Sequence, residues 1–136
     1  MTLREVLHAH IPTLWPESTL RDAVDKMDIY QFPALVVVDD DLKPLGVITE
    51  GDVCRAATTR GNLTSLADEP ALVHSSKDPL TLGPDAEIGE AFHTMLNSGT
   101  TLLPVVDEGR LIGVVLRVDL MHAMLLDSSP AEETHP

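Results

Sequence analysis

The chain has 136 residues, 43% of them hydrophobic and only 3% aromatic, with a formal net charge of −13. That is enough apolar material for the core of one ordinary domain, built from Val, Leu, Ile, Met and Ala. Nine scattered Lys and Arg exclude the clustered basic surface on which nucleic acids and acidic membranes rely.

In chain order, a short β position near Pro12 to Leu14 leads into a helix. Thr19 can cap that helix, and Leu20, Ala23, Val24 and Met27 follow with i, i+3, i+4, i+7 spacing. Leu35 to Val38, the acidic turn Asp39-Asp40-Asp41 and Leu45 to Ile48 predict an antiparallel hairpin. A helix over Glu50 to Thr59 follows, stopped at Arg60-Gly61-Asn62. Residues 60–78 connect to what comes next, with a short helix expected near Leu66 to Val73.

The same order then recurs. Pro79 to Leu82 is a β position, Asp85 precedes the stripe Ile88, Ala91, Phe92 and Met95, and Leu103 to Val106 pairs with Leu111 to Leu116 across the turn Asp107-Glu108-Gly109-Arg110. A last helix is expected over Val118 to Leu126, and Ser128 to Pro136 loses all periodicity, which predicts a disordered tail. A shift of 68 residues lays Thr13-Leu14 on Thr81-Leu82, Met27 on Met95 and Val37-Val38-Asp39 on Val105-Val106-Asp107. After one residue lost in the second turn, which Gly109 explains, Gly46-Val47-Ile48 meets Gly113-Val114-Val115 and Asp52 meets Asp119. Two copies of one βαββα unit, each too small to bury its own apolar face, must share a core. The expected fold class is α/β, an α+β sandwich of tandem βαββα repeats about a pseudo-twofold axis, with a cleft on either side of it. The units are expected over 1–62 and 63–127, ahead of the tail at 128–136.

Gly46-Val47-Ile48-Thr49-Glu50-Gly51-Asp52-Val53 and Leu103-Pro104-Val105-Val106-Asp107-Glu108-Gly109-Arg110-Leu111-Ile112-Gly113 resemble the signature of cystathionine β-synthase (CBS) domains in tandem, over about residues 2–126. The resemblance implies a regulatory CBS pair, or Bateman module, that takes an adenosyl ligand (AMP, ADP, ATP, NAD or S-adenosylmethionine) between its repeats and requires no cofactor. Carried over, it places Thr49 and Asp52 on phosphate and ribose in the first copy and Asp119 in the second, with Ala34 and Leu102 near the base. Thr49-x-x-Asp52 is equally a helix capping box, and both roles stand together. In the second copy Leu116 replaces the Thr and offers no hydroxyl. Arg117 beside it is either a substitute charge or a solvated surface residue. The expected clefts are poor in basic residues, which ranks AMP and S-adenosylmethionine above ATP, and the first site above the second.

The six histidines lack metal-ligand spacing, and the Asp39 to Asp41 run lacks the other ligands of a calcium loop. Cys54, the single cysteine, is read as a buried or half-buried packing thiol in a reducing cytoplasm. Neither a membrane span, a signal peptide nor a catalytic set is found, so a non-enzyme is expected. The resulting expectation is a stand-alone sensor that regulates a protein in trans. The alternative is a ligand-free structural or adaptor homodimer. For a dimer face the resemblance points to the helices after the signatures, where Leu120, Met121, Met124 and Leu125 are apolar.

Overall fold

The computed structural model describes residues 1–133, and the side chains of residues 1–127. Its elements are β1 (Thr13–Leu14), α1 (Leu20–Tyr30), β2 (Ala34–Val38), β3 (Pro44–Thr49), α2 (Glu50–Thr59), α3 (Leu63–Leu66), β4 (Ser76–Lys77), α4 (Ile88–Ser98), β5 (Leu102–Asp107), β6 (Arg110–Leu116) and α5 (Arg117–Glu133), with 3-10 turns at Leu3–Glu5 and Ala71–His74. One sheet has the order β1-β2-β3-β4, and the second pairs β5 with β6. This is the duplicated α+β architecture that the repeat implies.

Three apolar clusters account for it. Leu20, Ala23 and Met27 of α1 bury their stripe on Leu35, Val37 and Ile48, joined by Val53 and Ala56 of α2. Ile88, Ala91 and Met95 of α4 repeat that packing on Leu103, Val105 and Val115, with Leu120 and Ala123 of α5. The opposite faces of the two sheets meet through Ala34, Val36, Val38, Val47, Leu102, Leu111 and Val114. Strands buried on both faces explain why Ala34 to Val38 is apolar throughout instead of alternating. Each fully buried Val or Leu here contributes roughly 1.5–3 kcal/mol against unfolding.

The segment ahead of each repeat serves the other one. Leu3 is fully buried in the second repeat's core, while its 68-residue counterpart Ala71 is buried in the first. His8 forms a β-bridge with Val114, and its counterpart Ser76 pairs with Val47 in β4. The carbonyl of Met1 accepts from Ile88 N (3.1 Å) and that of Glu69 from Leu20 N (2.8 Å), so each leader also caps the first helix of a repeat. The glycine of each signature makes room for this crossing. A Cβ on Gly46 would lie 3.0 Å from the Ser76 carbonyl oxygen, and one on Gly113 only 2.6 Å from that of His8.

Local chemistry fixes the turns. In the shorter hairpin Glu108 (φ 52°) and Gly109 (φ 80°) are both left-handed, as a two-residue turn requires, and Asp107 pairs directly with Arg110. The longer turn is held by Asp39, whose Oδ1 accepts from the amides of Asp41 and Lys43, both at 2.9 Å. Asp40 and Asp41 are exposed there, as a solvated tip should be.

Several expectations need correction. The second repeat's first β position is a single bridge, Leu82 to Val105, and not a strand. The connecting helix expected at Leu66 to Val73 is two short pieces, α3 capped by Asn62 and the turn at Ala71–His74. The backbone of α5 runs to Glu133, past the expected end at Leu126. The expectation for a disordered tail bears largely on side chains after 127 and on residues 134–136, which lie outside the described residues. Cys54 is exposed, because the α2 stripe turns Val53 and Ala56 inward and leaves position 54 outside. Leu120 belongs to the second repeat's own core and is unavailable to a dimer face, whereas Met121 and Leu125 are exposed.

Candidate functional site: the cleft between the repeats

A cavity of about 480 Å³ opens where the end of β3 and the start of α2 face the second repeat. One wall is Thr49, Glu50, Gly51, Asp52 and Arg55, and the other is Ser76, Pro79, Leu80 and the loop from Ser98 to Leu102. The leader exchange creates it, since β4 and the residues after it lie against the first repeat's hairpin. Gly99 (φ 69°) ends α4 in the left-handed conformation and turns the loop back toward the cleft.

Capping geometry sets the first wall. Thr49 Oγ1 accepts from Asp52 N at 3.0 Å, and Asp52 Oδ2 accepts from Thr49 N at 2.9 Å. The second carboxylate oxygen of Asp52 holds Arg55 Nη2 at 2.7 Å. The Asp52 side chain is 15% exposed and that of Arg55 is 71% exposed, so the pair spans from the cleft floor to solvent. The guanidinium folds back over Gly51, where a Cβ would approach Arg55 Nη1 to 3.2 Å. A carboxylate, the first turn of a ten-residue helix and an exposed cation therefore share one concave surface. Such a set suits a ligand with vicinal hydroxyls and an anionic group.

Of the residues singled out in the sequence, Thr49, Asp52 and Leu102 line this one cavity. Ala34, fully buried between the sheets and paired with Thr49, does not line it. It is the 68-residue counterpart of Leu102 and belongs to the cluster between the sheets. Asp119 does not line the cavity either but borders a separate one with Met1, Glu5, Val6 and His122, and its Oδ2 accepts from Leu116 N (2.8 Å) and meets His8 Nε2 (2.8 Å). Arg117 is exposed at the start of α5 and does not line the cavity. The one cation in the lining is Arg55, which the sequence reading missed and which its i+3 spacing from Asp52 could have found. Ser76, Thr100 and Thr101 were also missed, because nothing local shows that a linker and a loop of one repeat face the signature of the other.

Histidine pairing was likewise hidden: His74 Nε2 lies 2.9 Å from Glu69 Oε1, and Arg60 holds the same carboxylate. Among the described residues no three His, Cys, Asp or Glu converge as a metal site. Nor, among them, is any helix long and apolar enough to cross a membrane.

The chain belongs to the CBS domain family, whose model matches it twice, over residues 3–58 and 72–126. It is 33% identical over 111 residues to an uncharacterised 17.7 kDa protein of Acidianus ambivalens, covering 81% of this chain and 65% of that one. It is 31% identical over 120 residues to the inosine-5'-monophosphate dehydrogenase of Methanocaldococcus jannaschii, covering 86% of this chain and 22% of the enzyme. The chain thus spans less than two thirds of the length of these relatives. In structure it resembles CBSX2, solved in complex with AMP, with a TM-score of 0.81 and 22% identity over 93% of this chain and 98% of that one.

Proposed function

We propose that the chain is a regulatory module which binds an adenosyl ligand of the AMP class in the cleft of Thr49 and Asp52 and passes the change to a partner protein in trans. The observation that carries this reading is the convergence of Asp52, the α2 N-terminus and Arg55 on one cavity of about 480 Å³. Asp52 accepts the ribose hydroxyl protons, while Arg55 leaves its carboxylate partner for the phosphate. Arg55 gives the AMP phosphate a partner, as it would the carboxylate of S-adenosylmethionine. With Glu50 and Asp52 beside a single cation, a triphosphate remains disfavoured. The AMP complex of CBSX2 supports the ligand class at the level of a shared fold.

Thermal unfolding against AMP, ADP, ATP, NAD and S-adenosylmethionine tests the reading. AMP at a hundred times its dissociation constant should stabilise the fold by about 2.7 kcal/mol. If none of the five raises the melting temperature, or if Asp52→Ala leaves the rise intact, the reading is wrong.

A homodimer through the second repeat's helices belongs to the same reading. An apolar groove between α4 and α5 is lined by Ile88, Phe92, Met121, Met124 and Leu125. Sedimentation at micromolar concentration checks it, with a 14.7 kDa monomer as the contrary outcome. The exposed thiol of Cys54 fits a reducing cytoplasm.

A further inference from the structure

On the first repeat, α1 and α2 leave a groove of about 450 Å³ between them, outside the cleft. Met27 and Val53, both nearly buried, lie at its floor, and Val24 and Leu63 line it from α1 and α3. Its charged residues are Asp28 and Glu50, both exposed, and among the described residues no cation lines it. Neither carboxylate is ion-paired among those residues. An apolar trough rimmed by unpaired acids suits a partner of the opposite charge, and the net charge of −13 steers such a partner toward it.

The repeat argues against a second copy as the occupant. At the 68- and 67-residue counterparts the second repeat has Phe92 for Val24, Leu96 for Asp28, Arg117 for Glu50 and Met121 for Cys54. The larger apolar face is therefore on the second repeat. A copy placed by two-fold symmetry on the α1–α2 groove would bring Asp28 and Glu50 against their own equivalents, and like charges oppose that contact. A segment carrying Lys or Arg beside apolar anchors satisfies both the trough and its rim. Between two helices the fitting shape is a third helix.

The groove also borders the ligand cleft. Pro33 and Glu50 line both, and Glu50 N donates to Pro33 O at 3.0 Å, so one ridge separates the two. Glu50 stands in the first turn of α2, where its negative charge opposes an AMP phosphate. A partner's cation on Glu50 removes that opposition.

We propose that the α1–α2 groove is the docking surface for a basic amphipathic helix of a partner protein. The docking stands on the groove alone, whereas its coupling to AMP rests on the reading of the cleft above. Helix and AMP then favour each other through Glu50, by the same factor in both directions.

A reporter is already in place, since Cys54 is the single cysteine, is exposed and lines the groove. The probe is an amphipathic Leu/Lys peptide, with a Leu/Glu peptide of equal length as control. At ten times its dissociation constant the Leu/Lys peptide should slow the reaction of Cys54 with a thiol reagent about tenfold by mass action, and the Leu/Glu peptide should not slow it. Asp28→Asn with Glu50→Gln should weaken the peptide about tenfold, while Asp40→Asn with Asp41→Asn, which removes the same charge at an exposed hairpin tip, should not. Circular dichroism checks both folds, and Asp28→Asn alone serves should the first pair fail. Peptide binding without protection of Cys54, or equal weakening by the two pairs, overturns the proposal as attraction to an acidic protein. Protection that grows with protein concentration in the absence of peptide also overturns it, by placing a second copy in the groove. For the coupling, calorimetry should show AMP bound about fivefold tighter with saturating peptide, and Glu50→Gln should bind AMP that much tighter by itself and gain nothing from peptide. An AMP affinity unmoved by peptide overturns the coupling. If AMP binds in neither case, the reading of the cleft fails, and Cys54 protection still decides the docking.

Discussion

The two signature segments, Thr49 to Asp52 and Leu116 to Asp119, belong to one repeated unit and stand in different surroundings. Around the first, the facing residues are small and polar, Ser76 and Thr100, and the helix carries Arg55. Around the second, the same positions carry His8 and Phe32, whose rings meet edge-on, and His8 Nε2 lies 2.8 Å from Asp119 Oδ2. The comparison teaches that the signature alone does not make a site. Thr49-x-x-Asp52 and Leu116-x-x-Asp119 both cap their helices, and the two differ in the residues that stand beside them.

The largest expected effect tests whether the two repeats share one core. Leu120→Ala removes a fully buried side chain from the second repeat and should cost about 2–5 kcal/mol in chemical denaturation. Its neighbour Met121, 46% exposed, should lose less than about 0.5 kcal/mol on truncation unless the α4–α5 groove is a dimer face. Unfolding should remain a single transition, because each leader is buried in the opposite core. Two separated transitions would show that the repeats fold independently.

Next in size is the leader exchange. An added methyl at Gly113 meets the His8 carbonyl oxygen at 2.6 Å, whereas at Gly46 it meets that of Ser76 at 3.0 Å. Overpacking of this kind costs about 1–3 kcal/mol, so both Ala variants should be destabilised, Gly113→Ala more than Gly46→Ala. Equal melting temperatures for the two would mean that both crossings tolerate a methyl group alike.

How far the sequence carries this architecture depends on the range of the signal. The stripes Leu20-Ala23-Met27 and Ile88-Ala91-Met95 and the hairpin Glu108-Gly109 are local and were legible, because helix period and turn chemistry act within a few residues. The cap of Thr49 and Asp52 was legible for the same reason. Pairing of His8 with Val114, or Ser76 with Val47, was not, since a one-residue bridge has no periodicity and nothing local says which hairpin it joins. The cleft was therefore half visible: its signature wall could be named, but its facing wall depends on that exchange. Arg55 was missed for a different reason, being one more charged residue on an exposed helix face until the fold shows what it overlooks.

In the middle of the scale, Asp52→Ala separates capping from ligand contact. Loss of the cap should cost about 0.5–2 kcal/mol of stability without ligand, and the AMP-induced rise in melting temperature should vanish as well. Thr49→Ala removes the hydroxyl side of the same cap, so it should show a similar stability loss while keeping most of the AMP response. If both variants lost stability and neither lost the response, the Thr49-Asp52 motif would be a cap alone and the two clefts would differ in packing but not in function.

The smallest effect on the fold and the sharpest on the ligand belong to Arg55. Its side chain is largely solvent-exposed, so its pair with Asp52 is screened and Arg55→Ala should change stability by less than about 1 kcal/mol. A charge-assisted hydrogen bond to phosphate is worth about 1.5–3 kcal/mol, which predicts roughly tenfold to hundredfold weaker AMP binding. Adenosine, lacking the phosphate, should bind no worse to Arg55→Ala than to wild type, because removing the guanidinium also frees an oxygen of Asp52 for the ribose. The contrast between AMP and adenosine, read by titration calorimetry on the same two proteins, thus isolates the one cation that distinguishes the open cleft. Parallel losses for both ligands would mean that Arg55 serves only to position Asp52.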